Sequence, residues 1–159
     1  MRNAPALILA TMAFVTPAAA QEWGSDYNMG SIGITGGTPA DGTITIDCAE
    51  AGNAVVPQGS LSIWLQPAVR AIGAGSPADE LTFAVDGTEL VLPVSAEEGS
   101  GFVFNKTAET LDLASQLIGL LQTGTELVVT GESGHLARID LQGAAAALDG
   151  VEVCLTPEG

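Results

Sequence analysis

The strongest constraint on the fold is a tight turn, Asp86-Gly87, that joins two segments in which apolar and polar residues alternate. Asp-Gly accepts the positive φ angles of a two-residue hairpin turn. The resulting register sets Phe83 opposite Leu90, so that one face of the hairpin is apolar. Pro93 lacks the N–H that a strand donates to its neighbour. We therefore predict a β-hairpin whose second strand ends at Pro93 or lies at a sheet edge.

Several other segments show the same alternation or a short apolar run. A second hairpin is predicted between residues 125–130 and 136–141, where a three-residue loop at 132–134 aligns Leu127 with Ile139. The remaining predicted strands are residues 43–48, 61–65, 101–104 and 151–155, of which the last is either a strand or an extended tail.

Residues 107–122 change to a helical period, with an apolar stripe along one side. Thr107 can cap the start of this helix and Gly124 can end it. Gly119 inside the helix costs about 1 kcal/mol relative to alanine, and we interpret it as allowing close approach to a sheet. The Ala-rich segment 143–148 predicts a second, short helix. The apolar stripe consists of Leu111, Ala114, Leu117, Ile118 and Leu121.

These elements predict a mainly β (β-rich α+β) fold, namely an antiparallel sandwich or half-open barrel. One amphipathic helix would pack on it, and a short Ala-rich helix would lie near the C-terminus. Residues 43–159 are expected to form a single β-rich domain, because that length suits one core. Residues 21–42 are rich in Gly, Ser, Thr and Asp. This composition predicts a flexible N-terminal arm, although Ile32 and Ile34 could form a short strand.

Residues 1–20 have the pattern of a secretory signal peptide, with Arg2 followed by an apolar run and by three alanines at 18–20. A transmembrane anchor is the alternative. It is disfavoured because the run is shorter than the roughly 20 residues that span a bilayer and because it contains Pro17. No later segment of the sequence is long and apolar enough to span. We therefore expect a periplasmic or secreted protein without a transmembrane segment in the mature chain.

The chain has two cysteines, Cys48 and Cys154, and both follow the predicted signal peptide. An exported chain with two cysteines usually pairs them. The bond would close a loop of about a hundred residues, for which chain-entropy models give about 4–5 kcal/mol. A metal or redox pair is the alternative. Two distant thiols with one histidine and no CxxC motif make a poor ligand set, so we predict a structural disulfide and no metal.

The charge of the chain restricts its partners. There are 19 acidic residues against four Lys and Arg, which gives a formal net charge of −15. Nucleic-acid binding is excluded because phosphate contacts require clustered basic residues. The hydrophobic content of 47% argues against intrinsic disorder. The acidity could reflect a salty habitat, or it could serve a protein partner with a basic surface, and composition does not separate the two.

Few residues in the sequence are placed for catalysis. The single histidine, His135, could act as a general base with Ser133 as nucleophile, which would make the chain a small hydrolase. No motif around His135 supports that chemistry, and we interpret it as a turn residue. The Asp-Gly-Thr sequences at 41–43 and 86–88 do not match a spaced calcium loop. We therefore predict no catalytic residue and no cofactor.

Trp64 is the best single candidate for binding. It points away from the core-facing residues of its strand, where it is either covered by another element or exposed as a contact. We favour a covered position, since sheets with both faces covered show this pattern. Arg70 in the connection 66–79 is the second candidate. The sequence thus predicts a non-enzymatic binding or envelope-associated protein; the alternatives are the hydrolase and a protein inhibitor or adhesin that acts through residues 66–79.

The C-terminal pattern adds a family resemblance. Residues 139–148, Ile-Asp-Leu-Gln-Gly-Ala-Ala-Ala-Ala-Leu, lead from a strand through Gly143 into a short Ala-rich helix, and Cys154 follows. This stretch of about twenty residues resembles that of small secreted alphaproteobacterial proteins such as the invasion-associated locus B family. The resemblance implies a periplasmic, β-rich protein without catalysis, and it carries no catalytic residue over to this chain.

Overall fold

The computed structural model describes residues 23–51, 56–69, 79–98, 101–132 and 134–157. The predicted signal peptide at 1–20, Arg70 and Ser133 lie outside the described residues. In chain order, the elements are β1 (Gly24–Asn28), β2 (Ser31–Thr38), β3 (Gly42–Ala49), β4 (Leu61–Gln66), β5 (Glu80–Val85), β6 (Thr88–Pro93), β7 (Ala96–Glu98), β8 (Gly101–Asn105), α1 (Leu111–Thr123), β9 (Glu126–Gly131), β10 (Gly134–Asp140), α2 (Ala144–Ala147) and a 3₁₀ helix (Val151–Cys154).

The strands form two antiparallel sheets, which confirms the predicted mainly β fold. Six strands lie in the order β1-β2-β3-β4-β8-β7 and four in the order β10-β9-β5-β6. The apolar sides of both sheets contribute to one buried core, to which the buried stripe of α1 also belongs. The largest fully buried side chains of this core are Ile34, Ile44, Ile46, Ile63, Leu65, Leu92, Leu117, Ile118, Leu121, Leu127, Leu136 and Ile139.

The Asp86-Gly87 hairpin has the predicted register. Phe83 lies opposite Leu90, the turn residues have φ angles of 48° and 86°, and β6 ends at Pro93 on the edge of its sheet. The second hairpin aligns Leu127 with Ile139 as predicted.

The loop of the second hairpin differs from the prediction. Gly131 pairs with Gly134, so the loop has two residues, and the extra residue forms a bulge between His135 and Ala137. The bulge turns two consecutive side chains, Leu136 and Ala137, into the core, where both are at most 2% exposed. Simple alternation cannot bury two neighbours on one strand.

The expectation of a flexible arm at 21–42 is wrong for its described part. Residues 23–42 include β1 and β2, and β2 pairs with β3 so that Ile34 lies opposite Ile46 with no exposed surface. The glycines make room for packing, because a Cβ atom on Gly36 would collide with the ring of Trp23. The indole N–H of Trp23 also donates to the carbonyl of Asp140 at 2.8 Å, which fixes the segment to β10.

The amphipathic helix is present but shorter than predicted. It begins at Leu111 with Thr110 as the N-cap, whereas Thr107 forms a preceding turn in which the two threonine hydroxyls lie 3.1 Å apart. Gly124 ends the helix as predicted. Gly119 does not approach a sheet, since nothing lies within 4 Å of the Cβ atom that would be added there.

The predicted Cys48–Cys154 disulfide is formed, with the two Cα atoms 5.8 Å apart. The segment at 151–155 is a 3₁₀ helix rather than a strand or an extended tail. The compact turn lets both Val151 and Cys154 point into the core, which an extended segment could not do at this three-residue spacing.

Candidate functional site

The outward side of the six-stranded sheet is polar and contains Trp64 near its centre. Directly paired residues share one side of a sheet, so the strand register identifies the members of this surface. We call it the Trp64 face. Its principal members are Thr35, Thr43, Thr45, Asp47, Ser62, Trp64, Gln66 and Asn105.

Trp64 is exposed, which corrects the favoured expectation of a covered side chain. It lies on β4 between Thr45 of β3 and Val103 of β8, and 36% of its surface is accessible to solvent. The helix α1, which could have covered it, packs against β5 and β6 of the other sheet. The aromatic side chain is therefore available to a ligand.

Two hollows flank Trp64 along the strands. The first encloses about 310 Å³ beside Thr43, Thr45 and Gln66. The second encloses about 500 Å³ beside Ser62 and Asn105. Both are lined by Trp64 and Asp47, so these two residues divide one elongated depression. More of its lining surface is apolar than polar, and its polar groups are mainly hydroxyl, amide and carboxyl groups.

Asp47 and Asp26 converge above Gly33. A Cβ atom on Gly33 would lie 2.9 Å from an Asp26 carboxylate oxygen and 3.5 Å from an Asp47 carboxylate oxygen. Partial burial of Asp47 and, second, the negative charge of Asp26 raise the pKa of Asp47 above its ordinary value. Because Asp47 lines both hollows, its carboxyl group is placed to hydrogen-bond with a ligand between them. The alternation of residues 43–48 places Asp47 on the side of the strand opposite Ile44 and Ile46. The proximity of Asp26 to Asp47 could not be predicted, because β1 was not expected.

Lys106 lies at the border of the second hollow but is engaged in the fold. The residue is buried, with 6% of its surface exposed. Its ammonium group donates hydrogen bonds to the backbone carbonyls of Gly59, Cys154 and Thr156 at 2.7, 2.9 and 2.9 Å. An ammonium group has three donors, and all three are used here. Lys106 therefore holds the C-terminal segment and does not present a cation to a ligand.

The other candidates from the sequence are not brought to this surface. His135 is exposed near the loop end of β10, opposite Thr130, in the four-stranded sheet. Arg138 in the same strand forms an exposed ion pair with Glu126, with an N–O distance of 3.2 Å. The second binding candidate, Arg70, falls outside the described residues.

Within the described ranges, no group of three or more His, Cys, Asp and Glu residues is arranged to hold a metal ion. The helices in the same ranges are all too short or too polar to cross a membrane. Comparisons of the chain with protein-family models, with curated proteins and with solved structures give no match.

Proposed function

We propose that this chain is a periplasmic or secreted, non-enzymatic binding protein whose ligand-binding surface is the Trp64 face. The observation that carries the proposal is the position of Trp64, which is 36% exposed between two hollows that it helps to line. Tryptophan is enriched among the residues that dominate binding energy, because it offers a large contact area with little loss of conformational entropy.

A position outside the cytoplasm is supported by two features. Residues 1–20 have the signal-peptide pattern, and Cys48 and Cys154 form a disulfide. Disulfides persist in oxidising compartments and are rare where thioredoxin and glutathione keep thiols reduced.

A binding role rather than catalysis is supported by how the reactive groups are distributed. His135 is exposed on the opposite sheet from Trp64, so the two do not form one site. The carboxyl groups of Asp26 and Asp47 lie on an open strand surface rather than in a closed cleft that would exclude water from a reacting substrate.

The test is retention of the mature protein by purified cell envelopes in a sedimentation assay. Replacing Trp64 with alanine should reduce retention by about tenfold or more, since truncating a central aromatic contact typically costs about 2 kcal/mol. Tyr27→Ala is the matched control, because Tyr27 is 62% exposed on the other side of the same sheet. Tyr27→Ala and His135→Ala should both bind as the wild type does. Equal retention of Trp64→Ala and wild type would exclude the proposal.

A further inference from the structure

We infer that the Trp64 face binds an uncharged polysaccharide chain that lies along β3 and β4 across Trp64. This inference rests on the proposed function and names the chemical class of its ligand. It follows from the combination of one exposed indole, two hollows beside it whose linings mix apolar surface with hydroxyl, amide and carboxyl groups, and the absence of an available cation among the described residues of this face.

The side chains of the depression match the two kinds of surface on a sugar ring. A pyranose has an apolar C–H face and a rim of hydroxyl groups. The exposed indole of Trp64 can stack on the apolar face, while the hydroxyls of Thr43 and Thr45 lie in the first hollow. Ser62 and Asn105 offer hydroxyl and amide groups in the second hollow. A few placed polar groups around an aromatic contact are the usual composition of a small-molecule site.

The charge of the face disfavours anionic ligands. Asp26 and Asp47 contribute carboxylates, and the three donors of Lys106 are bound to backbone carbonyls. Phosphate, sulfate or uronate groups would meet negative charge there without a cation to pair with. A long-chain lipid or an apolar peptide is disfavoured as well, because hydroxyl, amide and carboxyl groups lie in both hollows and would lose their hydrogen bonds to water beneath an apolar ligand.

A basic protein partner fits less well than a neutral glycan. Such a partner would be favoured by a concentration of carboxylates, as charge complementarity requires. Asp26 and Asp47 meet at one point of the Trp64 face, over Gly33, whereas the polar side chains along the rest of the two hollows are mainly hydroxyls and amides.

The dimensions of the depression indicate a chain rather than a single sugar. The lining runs from Thr43 to Ala49 along β3. The six residue-to-residue steps from Thr43 to Ala49 extend about 20 Å. Because both hollows share Trp64 and Asp47, a ligand that fills both must pass over the indole. Several sugar units in a row satisfy this geometry.

Affinity electrophoresis of the mature protein tests the inference, since the acidic chain migrates readily in native gels. The probes are gels that contain dextran, mixed-linkage β-glucan, glucomannan, galactomannan, xyloglucan or glycol chitin, with polygalacturonate as the anionic counterpart. We expect at least one neutral polysaccharide to retard the wild type, and Trp64→Ala to lose at least about tenfold in affinity for it. Tyr27→Ala should be retarded like the wild type. Retardation should persist between about 0.05 and 0.5 M salt, because no ion pair contributes.

The inference is overturned if none of the neutral polysaccharides retards the protein, if Trp64→Ala is retarded equally, or if polygalacturonate binds as tightly. The envelope sedimentation assay separates this failure from that of the proposed function. Retention that depends on Trp64, in a protein that binds none of the neutral polysaccharides, leaves the binding function in place and excludes the glycan. A salt-sensitive, Trp64-dependent retention of that kind would identify a basic partner instead. Retention independent of Trp64 excludes both proposals.

Discussion

Two charged side chains in this protein make the same number of hydrogen bonds in opposite surroundings. The ammonium group of Lys106 is buried and donates to three backbone carbonyls. The carboxylate of Asp86 is exposed and accepts from the backbone N–H and hydroxyl of Thr125 and from the N–H of Glu126, at 2.9, 2.7 and 3.1 Å. Water replaces the partners of Asp86 when they are lost, whereas the carbonyls around Lys106 would stay unpaired in the interior.

The surroundings of a charged group, rather than its number of hydrogen bonds, therefore set its contribution to stability. Lys106 joins β8 to the segment that carries Cys154, while Asp86 joins a hairpin turn to the start of β9. Loss of the Lys106 contacts should greatly destabilise the fold, whereas loss of the Asp86 contacts should lower its stability only slightly. Four sets of variants test this distinction, and they follow in order of decreasing expected effect.

Lys106→Met should give the largest loss of stability. Methionine keeps much of the side-chain volume but leaves the carbonyls of Gly59 and Cys154 unpaired in a buried site. We expect the free energy of unfolding to fall by about 3 kcal/mol or more. Arg138→Met is the control, since its exposed ion pair should be worth less than about 1 kcal/mol. Urea denaturation measures both, and equal losses would remove the distinction between buried and exposed charges.

Replacing both cysteines with serine should give the next largest effect. The disulfide joins residues 106 positions apart and holds the same C-terminal segment as Lys106. We expect a loss of about 2–4 kcal/mol. Combined with Lys106→Met, the loss should be smaller than the sum of the separate losses, because either change alone already frees the segment. Full additivity, measured by urea denaturation, would show that the two contacts act independently.

Gly119 within α1 and Gly124 at its C-terminal cap should respond to alanine in opposite directions. A Cβ atom on Gly124 would collide with Val85 and approach Leu141 to 3.1 Å, so Gly124→Ala should cost about 1–3 kcal/mol. The added methyl on Gly119 meets nothing within 4 Å, so Gly119→Ala should stabilise by about 1 kcal/mol. The melting temperatures of both variants, compared with that of the wild type, give the sign of each change in stability. A destabilised Gly119→Ala would contradict the exposed position of this residue.

Asp86→Asn should have the smallest effect, and a pH-dependent one. Hydrogen bonds from Thr125, followed by that from Glu126, lower the pKa of Asp86 in the folded protein. The stabilisation is therefore present above the ordinary pKa of an aspartate and is lost as the pH falls through the lowered pKa of the folded state. We expect the melting temperature of Asp86→Asn to lie below that of the wild type at pH 7 and to approach it at pH 2.

Glu89→Gln, which changes an exposed acid on the same hairpin, is the control for the Asp86 experiment. It should show no comparable difference from the wild type across the pH range. If the difference in melting temperature between Asp86→Asn and the wild type stays constant with pH, the stabilisation does not come from the charged carboxylate of Asp86.

Local patterns predicted most of the fold because their causes are local. Asp86-Gly87 fixed the turn and register of its hairpin, and the helical stripe identified Ala114 and Leu117 as core residues. The errors arose where a long-range contact reversed a local preference. The glycine-rich segment 21–42 looked flexible, yet Gly36 leaves space for the ring of Trp23. The bulge at Leu136 likewise exists because the core accepts two neighbouring side chains.

The candidate site was less predictable than the fold. The sequence selected Trp64 as a binding residue, but it could not decide between a covered and an exposed indole. That depends on where α1 packs, and α1 lies against β5 and β6. The hollows beside Trp64 were not predictable either, since they require the pairing of β3 with β4 and of β4 with β8.

The alternation of the strands, the hairpin at Asp86-Gly87 and the amphipathic helix could be predicted without the structure, because each depends on neighbours along the chain, and the acidic charge of the protein follows from its composition. The tertiary structure alone decided that Asp26 and Asp47 meet over Gly33, that Lys106 binds three carbonyls and that Trp64 faces solvent. These features join residues far apart in sequence, and the packing that brings them together depends on the shape of the whole core rather than on any local preference.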